Sequence, residues 1–366
     1  HLAKRSDLEV SCFLPEVSDS DKNAATKDKV TLVEAKDIPA SIDPYVKLQR
    51  WPSQLPPPDV IISHGRKFGP AAYRIKETHP SCKWAHFVHM NYEEMGKYKV
   101  GSNEIRANNI KYTEELDLCK NADVVVAVGP QLFDRYNKSL SIEQKKVQKF
   151  YPGLSKEFLN LPQQKCDSRE FHVYIYGRCS SEDFELKGVD LVADAVGKLG
   201  KNYKLHVVGV QRNEEEKILE NIIETTAATK NQLFLREYCN NQEEMRRMMY
   251  EADLVAMPSR AEAFGLIGLE ALSAGVPLLV SAASGLGMTL KELKFGNNFV
   301  VGSDDSEEWA RRIESMKENE KSLRIDEMKE MRKLYDEKYK WDDQCKKLVK
   351  LFRDARKDGK WKGTTN

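Results

Sequence analysis

One segment limits the fold more than any other. From Leu254 to Met257 the chain is a continuous apolar run of strand length, closed by Pro258. A stretch of helical period follows and stops at Gly275, and a second apolar run opens at Pro277. Strand, tight loop, helix, glycine stop and strand make a βαβ unit, whose two strands are parallel. Uniformly apolar parallel strands need helices on both faces of their sheet, so the chain belongs to the α/β class.

The same alternation runs along the chain. Strand-length runs fall at Val10–Leu14, Val30–Glu34, Val60–Ser63, Lys83–Val88 and Val124–Val128. A second set falls at His172–Tyr176, Leu205–Val208, Leu233–Leu235, Leu254–Met257 and Pro277–Ser281. The expectation is two parallel sheets, one in each half. Length agrees, since 366 residues at about 150 per domain give two domains. Tyr151-Pro152-Gly153 and the polar stretch holding Pro162, Gln163, Gln164 and Lys165 mark the break. This gives a first domain over 1–150, a linker over 151–170, a second domain over 171–338 and a C-terminal helix with tail over 339–366. In that helix Cys345, Leu348, Leu351 and Phe352 form one apolar stripe among basic residues. Such a helix can lie on a membrane surface, but packing against protein is the favoured reading.

Charge removes other classes. With 58 basic and 57 acidic residues, the chain has no excess to neutralise a phosphate backbone, so no nucleic-acid partner is expected. No apolar run reaches the roughly 18 residues of a membrane span, and no apolar h-region follows His1-Leu2-Ala3-Lys4-Arg5. Those first residues read as the last turn of a helix. The seven cysteines, at 12, 82, 119, 166, 179, 239 and 345, form no CxxC pair. They read as reduced thiols in a cytoplasmic protein, with no metal site.

The chemistry concentrates in the loop of the βαβ unit. Ala263, Phe264, Gly265 and Leu266 bring open backbone N–H groups to a helix start, an arrangement suited to an anionic phosphate. Glu262 stands before the helix and Glu270 eight residues later; eight steps of about 100° leave the pair within roughly 80° of each other, near one face. Two carboxylates there can flank one ligand. The alternative makes Glu262 a capping residue and Glu270 a solvated one.

These residues resemble a known family. Pro258-Ser259, Glu262-x7-Glu270, Phe264-Gly265, Gly275 and Pro277 occur in the order found in the retaining nucleotide-sugar glycosyltransferases of family four, which have the GT-B fold. A strand ending in Gly177-Arg178, then Lys187-Gly188 at a helix start, is similar to a second family block. Trp84-Ala-His86-Phe-Val-His89 is similar to the strand that ends in the family's active-site histidine, and His64-Gly65 to its cleft-facing strand end. The resemblance implies two Rossmann-like domains facing a cleft, and transfer of a sugar from a nucleotide diphosphate sugar to a hydroxyl acceptor. UDP-sugar is favoured over GDP-sugar, and no metal or other cofactor is expected.

Residue by residue, the resemblance implies that Arg178, Lys187 and the amides of Phe264–Leu266 carry the diphosphate charge. Glu262 would bind the sugar hydroxyls and Glu270 the ribose. Gly177 and Ala263 would line the donor site, and Tyr238 would stack on the base. His89, with His64 and Tyr92, would form the acceptor side; His86, three residues before His89, is its buried alternative. Arg66, Lys67, Glu93, Lys97 and Tyr98 are further loop candidates. Two departures stand out. Ser284-Gly285-Leu286-Gly287 differs from the family's usual ending of the donor wall. The first strand and Gly-Gly loop of the family are not in this sequence, so its first domain is expected to be N-terminally incomplete. A nucleotide-sugar-binding module or pseudoenzyme within a larger protein is therefore the alternative function. A GT-B epimerase, a third reading, would need further carboxylates in the cleft.

Overall fold

A computed structural model describes residues 1–39, 43–98, 102–158, 169–238 and 241–357. The polar part of the expected linker with Cys166, then Cys239 and the tail from 358, lie outside the described residues. In the first half the elements run β1 (Ser11–Leu14), α1 (Asp19–Asp28), β2 (Thr31–Glu34), β3 (Val60–His64), α2 (Gly65–Thr78), β4 (Lys83–Val88), α3 (Tyr92–Lys97), α4 (Ser102–Asn121), β5 (Val124–Val128), α5 (Pro130–Ser139) and β6 (Val147–Phe150). The second half runs β7 (Phe171–Cys179), α6 (Val189–Leu199), β8 (Tyr203–Val210), α7 (Glu215–Thr225), β9 (Leu233–Glu237), α8 (Gln242–Glu251), β10 (Leu254–Met257), α9 (Leu266–Ala274), β11 (Leu278–Ser281), α10 (Gly285–Lys291) and β12 (Val300–Val301). Three helices follow: α11 (Ser306–Glu318), α12 (Lys321–Lys338) and α13 (Trp341–Lys357).

All sheet pairings described are parallel. The second-half sheet has the order β12-β11-β10-β7-β8-β9. This is the doubly wound order: the chain winds outward from β7 to one edge, returns to β10 beside β7, and winds to the other edge. The reversal lies between β7 and β10, and in such sheets ligands bind beyond the strand C-termini at that point.

The first half departs from the single sheet expected. Its strands form two sheets, a β1-β2 pair and a four-stranded β3-β4-β5-β6 sheet, because β1 pairs with β2 alone among the described strands. Two strands escaped the sequence reading. In β6 only the end residues Val147 and Phe150 are buried, so Gln148 and Lys149 disguise it, and β12 has two residues.

One large core cluster runs through the four-stranded and six-stranded sheets, taking in Val126, Phe150, Val173, Phe264, Leu279, Trp309 and Tyr335. Helix α13 joins the halves. It packs on β4 and β5 through an apolar stripe in which Cys345, Leu348, Val349 and Phe352 are buried. Its basic face forms ion pairs, Arg353 with Asp7 at 2.6 Å and Arg356 with Asp59 at 2.9 Å. Packing against protein is thus the role of the stripe. No described helix is long and apolar enough to cross a membrane.

Leu348 is 4% exposed within that stripe. Leu348→Ala should therefore destabilise the protein by about 2–5 kcal/mol in urea unfolding. A loss below about 1 kcal/mol would show that α13 is not packed as described.

Candidate active site

Most of the donor-side candidates sit at the reversal point of the six-stranded sheet. Gly177 and Arg178 lie near the C-terminal end of β7, and the loop from Pro258 to Gly265 follows β10. Gly177 has φ +134° with open space beside its Cα, and Arg178 is exposed with no hydrogen-bond partner among the described residues. A free guanidinium and an unobstructed backbone therefore face the region beyond the strand ends.

Lys187 and Glu262 meet. Lys187 Nζ donates to Glu262 Oε2 at 2.9 Å, and both side chains are about a quarter exposed. The contact depends on how two loops are laced together. Arg260 N donates to Leu186 O at 3.0 Å, and the Arg260 guanidinium holds Asp190 through two bonds of 2.7 and 2.6 Å. Gly188, at φ +66°, lets the two backbones touch: a Cβ there would lie 2.4 Å from Pro258 O.

Glu262 stands before the helix, as expected. It forms a β-bridge with Ser284, and α9 begins only at Leu266. The helical step count from Glu262 to Glu270 consequently has no meaning in the fold. Glu262 is no cap either, since Gly265 occupies the N-cap of α9 without a side-chain cap. Ser284-Gly285-Leu286-Gly287 proves to be the first turn of α10, and it braces the loop. Gly285 N donates to Glu262 O at 3.2 Å, and Leu286 N to Phe264 O at 2.6 Å. The carbonyls of the loop are thereby used, whereas the amides of Phe264, Gly265 and Leu266 donate to no described backbone group. These amides lie at the start of α9, where the helix dipole adds positive potential. The Phe264 ring is buried and turned away, against Gly129 at the end of β5.

Glu270, in α9, is half-buried and makes no hydrogen bond with a described residue. Burial, with a smaller push from the Glu157 charge, raises its carboxyl to about 7. Tyr238 follows the edge strand β9 and is 63% exposed. The structure gives neither residue a contact with another donor-side candidate.

Across from this loop lie the C-terminal ends of β3, β4 and β5. Contact between Gly129 and Phe264, and a bond of 3.0 Å from Gln131 Nε2 to Ala283 O, bring the two sets of strand ends together. His64, the last residue of β3, and His89, just past β4, share a hydrogen bond of 2.8 Å between Nδ1 and Nε2. Burial first and the neighbouring imidazoles second push His89 down to about 4, so it is neutral near pH 7. Burial also lowers His64.

His86 is the interior histidine. It is fully buried, with Nδ1 2.8 Å from Ser63 Oγ and Nε2 2.5 Å from Glu115 Oε1. Glu115 Oε2 also accepts from Arg66 N at the start of α2, capping that helix and leaving the His64 ring to His89. Tyr92, at the start of α3, is pushed up to about 12 by burial and the Glu115 charge. Other loop candidates are occupied: Arg66 pairs with Glu114, Glu93 with Arg135 and Lys97 with Glu94. The sequence reading missed Glu115, Glu157, Arg260 and Gly129. Of these only Gly129-Pro130 carries a signal, a glycine and a helix-starting proline directly after an apolar strand.

Comparison with known proteins gives the family and the fold. The model of family 4 glycosyltransferases in conflict systems matches residues 1–348. The chain belongs to that family. Among curated relatives of this family 4 glycosyltransferase, D-inositol 3-phosphate glycosyltransferase of Corynebacterium urealyticum is 26% identical over 313 residues, 81% of this chain and 71% of the relative. Among solved structures, Anabaena HepE in complex with UDP and glucose has a TM-score of 0.66 at 16% identity, covering 94% of this chain and 91% of its own. A trehalose-6-phosphate synthase, described in work on enzymatic glycosyltransfer with retention, has a TM-score of 0.63 at 13% identity, covering 85% and 76%. The fold of this glycosyltransferase is GT-B.

Two outcomes follow from the geometry. Gly188→Ala puts a Cβ into Pro258 O at a left-handed position, so it should lower the melting temperature; a wild-type melting temperature would contradict the lacing of the two loops. Because the folded protein holds the Glu270 proton up to about 7, against an ordinary value near 4.5, stability should fall as pH rises through that window. Glu270→Gln should remove that part of the fall in a melting series from pH 4.5 to 8, and an unchanged slope would contradict the raised carboxyl.

Proposed function

We propose that this family 4 glycosyltransferase is a retaining enzyme that moves a sugar from a nucleotide diphosphate sugar, with UDP-sugar favoured, to a hydroxyl acceptor, using no metal. The observation that carries the reading is the Lys187–Glu262 pair at 2.9 Å beside the open amides of Phe264–Leu266, at the reversal point of a doubly wound sheet.

In this reading the leaving diphosphate gains negative charge as the bond from the sugar C1 to the phosphate oxygen breaks. Arg178, Lys187 and the loop amides are fixed donors for that charge, already oriented before the reaction begins. Glu262 keeps Lys187 on one oxygen and has its other for sugar hydroxyls. Glu270, without a described partner, accepts from the ribose hydroxyls once ionised, and Tyr238 offers an exposed ring to the base. On the opposite side His89, with His64 behind it, touches the acceptor hydroxyl and the sugar, and Tyr92 borders that side. The acceptor oxygen bonds to C1 on the face the phosphate leaves, and its proton passes to the departing phosphate oxygen, so no carboxylate nucleophile is required. The UDP and glucose named for HepE support a UDP-sugar donor, and the retention named for the trehalose-6-phosphate synthase supports the stereochemistry. The described cysteines at 12, 82, 119, 179 and 345 are free thiols, which fits a reducing, cytoplasmic setting.

Calorimetric titration with UDP, GDP and ADP, followed by mass-spectrometric detection of UDP-sugar hydrolysis, tests the proposal. UDP should bind best, and Arg178→Ala or Lys187→Ala should each lower turnover by about 100 to 1000-fold. Turnover should survive EDTA; loss with EDTA and return with manganese would contradict the charge-donor scheme. Binding without hydrolysis or transfer would favour a nucleotide-sugar-binding module.

A further inference from the structure

The buried polar groups at the end of β3 converge on one residue, His64. Ser63, just before it, accepts from Trp84 Nε1 at 2.7 Å. An indole nitrogen only donates, so the Ser63 hydroxyl keeps its own proton for His86 Nδ1, 2.8 Å away. His86 then carries its proton on Nε2 and donates to Glu115 Oε1 at 2.5 Å. The other oxygen of Glu115 accepts from Arg66 N at 3.1 Å, two residues after His64. Trp84, Ser63, His86 and Glu115 are all buried, so the strand end and the first turn of α2 are tied down on both sides of His64 by groups in the core.

The His64 ring itself has one polar partner. Its centroid lies 5.1 Å from that of the buried Phe87 ring and 5.0 Å from that of His89, with the two imidazoles inclined by 28°. A nitrogen-to-nitrogen distance of 2.8 Å at that separation requires His64 Nδ1 and His89 Nε2 to point at each other along the line of centres. One proton lies between them. Both rings are neutral near pH 7, because burial lowers each, so the pair has two arrangements: both imidazoles carry their proton on Nε2, or both carry it on Nδ1. The Nε2–H form is the more stable tautomer of a neutral histidine side chain, and donation from His89 Nε2 to His64 Nδ1 gives it to both rings. His89 Nδ1 is then left with a lone pair and no hydrogen-bond partner among the described residues.

We propose that His64 is a positioning residue: by accepting from His89 Nε2 it fixes the tautomer and the ring angle of His89, and so keeps His89 Nδ1 as an acceptor for a hydroxyl of the bound sugar. This rests on the reading of His89 as a residue that touches the sugar. Without His64 the His89 proton is free to move to Nδ1 and the ring to turn, and a hydroxyl aimed at Nδ1 loses its acceptor.

The test reads the tautomer directly, by ¹⁵N NMR of the ring nitrogens in the full chain at pH 7.5, with the His89 signals assigned from their loss in His89→Gln. Wild type should show His89 protonated on Nε2 and bare on Nδ1. His64→Phe keeps a ring against Phe87 and removes the acceptor. In it the two His89 nitrogens should move toward the averaged values of a free imidazole, and kcat/KM for UDP-sugar hydrolysis should fall about five- to tenfold, the worth of one hydrogen bond. His64→Asn, whose amide oxygen can stand where Nδ1 stood, should recover most of both. A His64 that only braces the fold would lower the melting temperature of His64→Phe without moving the tautomer. That result, unchanged kcat/KM in a His64→Phe that folds, or a wild-type His89 protonated on Nδ1 would overturn the proposal, and the wild-type spectrum decides even if His64→Phe does not fold. If the His89 signals behave as described while no chain turns over a UDP-sugar, the enzyme reading fails and the control of the His89 tautomer by His64 stands.

Discussion

The ion pair between Lys187 and Glu262 is the contact on which the rest of the site depends. Its two residues come from loops seventy-five positions apart in the chain, after different strands of one sheet. Each is partly removed from water, and leaving either charge alone there would be costly. The pair therefore needs both backbones held in register, which the Arg260–Asp190 fork and the Gly188–Pro258 contact provide. With the loop pinned from one side by these groups and from the other by the first turn of α10, its carbonyls point into protein. Its amides are what remains to face a ligand.

The halves are joined by a second set of constraints. Tyr335 donates to Pro152 O, Trp341 Nε1 to Leu154 O, and Ser155 N to Ser273 Oγ, so the segment leaving β6 is held by α12, α13 and α9 together. Glu292 gathers Tyr339, Lys338 and Tyr151 at the same junction. Although burial opposes it, the bonds from Lys338 and Tyr339 keep that carboxyl below its ordinary value. These long-range bonds fix the segment between the two sheets in place.

Much of the fold was legible because parallel strands buried on both faces are written as plain apolar runs. Lys83–Val88, Val124–Val128 and Leu254–Met257 are found with those bounds. What was hidden follows from the same physics. Strand β6 buries only its ends, β12 is too short to leave a pattern, and the separation of β1–β2 from β3–β6 is a matter of pairing, which composition does not encode. In the site, the glycines and the two glutamates were visible, but helical steps were counted back to Glu262, which stands before the helix. Sequence could not separate His86 from His89. Burial does so, placing one in the core on Glu115 and the other at the strand end on His64. Glu115 itself sits in a charge-rich helix where nothing marks it as the one carboxylate turned inward.

The central claim is that the Lys187–Glu262 pair exists to hold a nucleotide sugar and is not merely a brace. The double variant Lys187→Met with Glu262→Gln removes both charges and keeps the approximate shape, so it leaves no lone charge behind. Its melting temperature and its affinity for a UDP-sugar, measured side by side, decide the matter. The account predicts near wild-type melting with donor binding lost. Wild-type donor affinity in the double variant would contradict it.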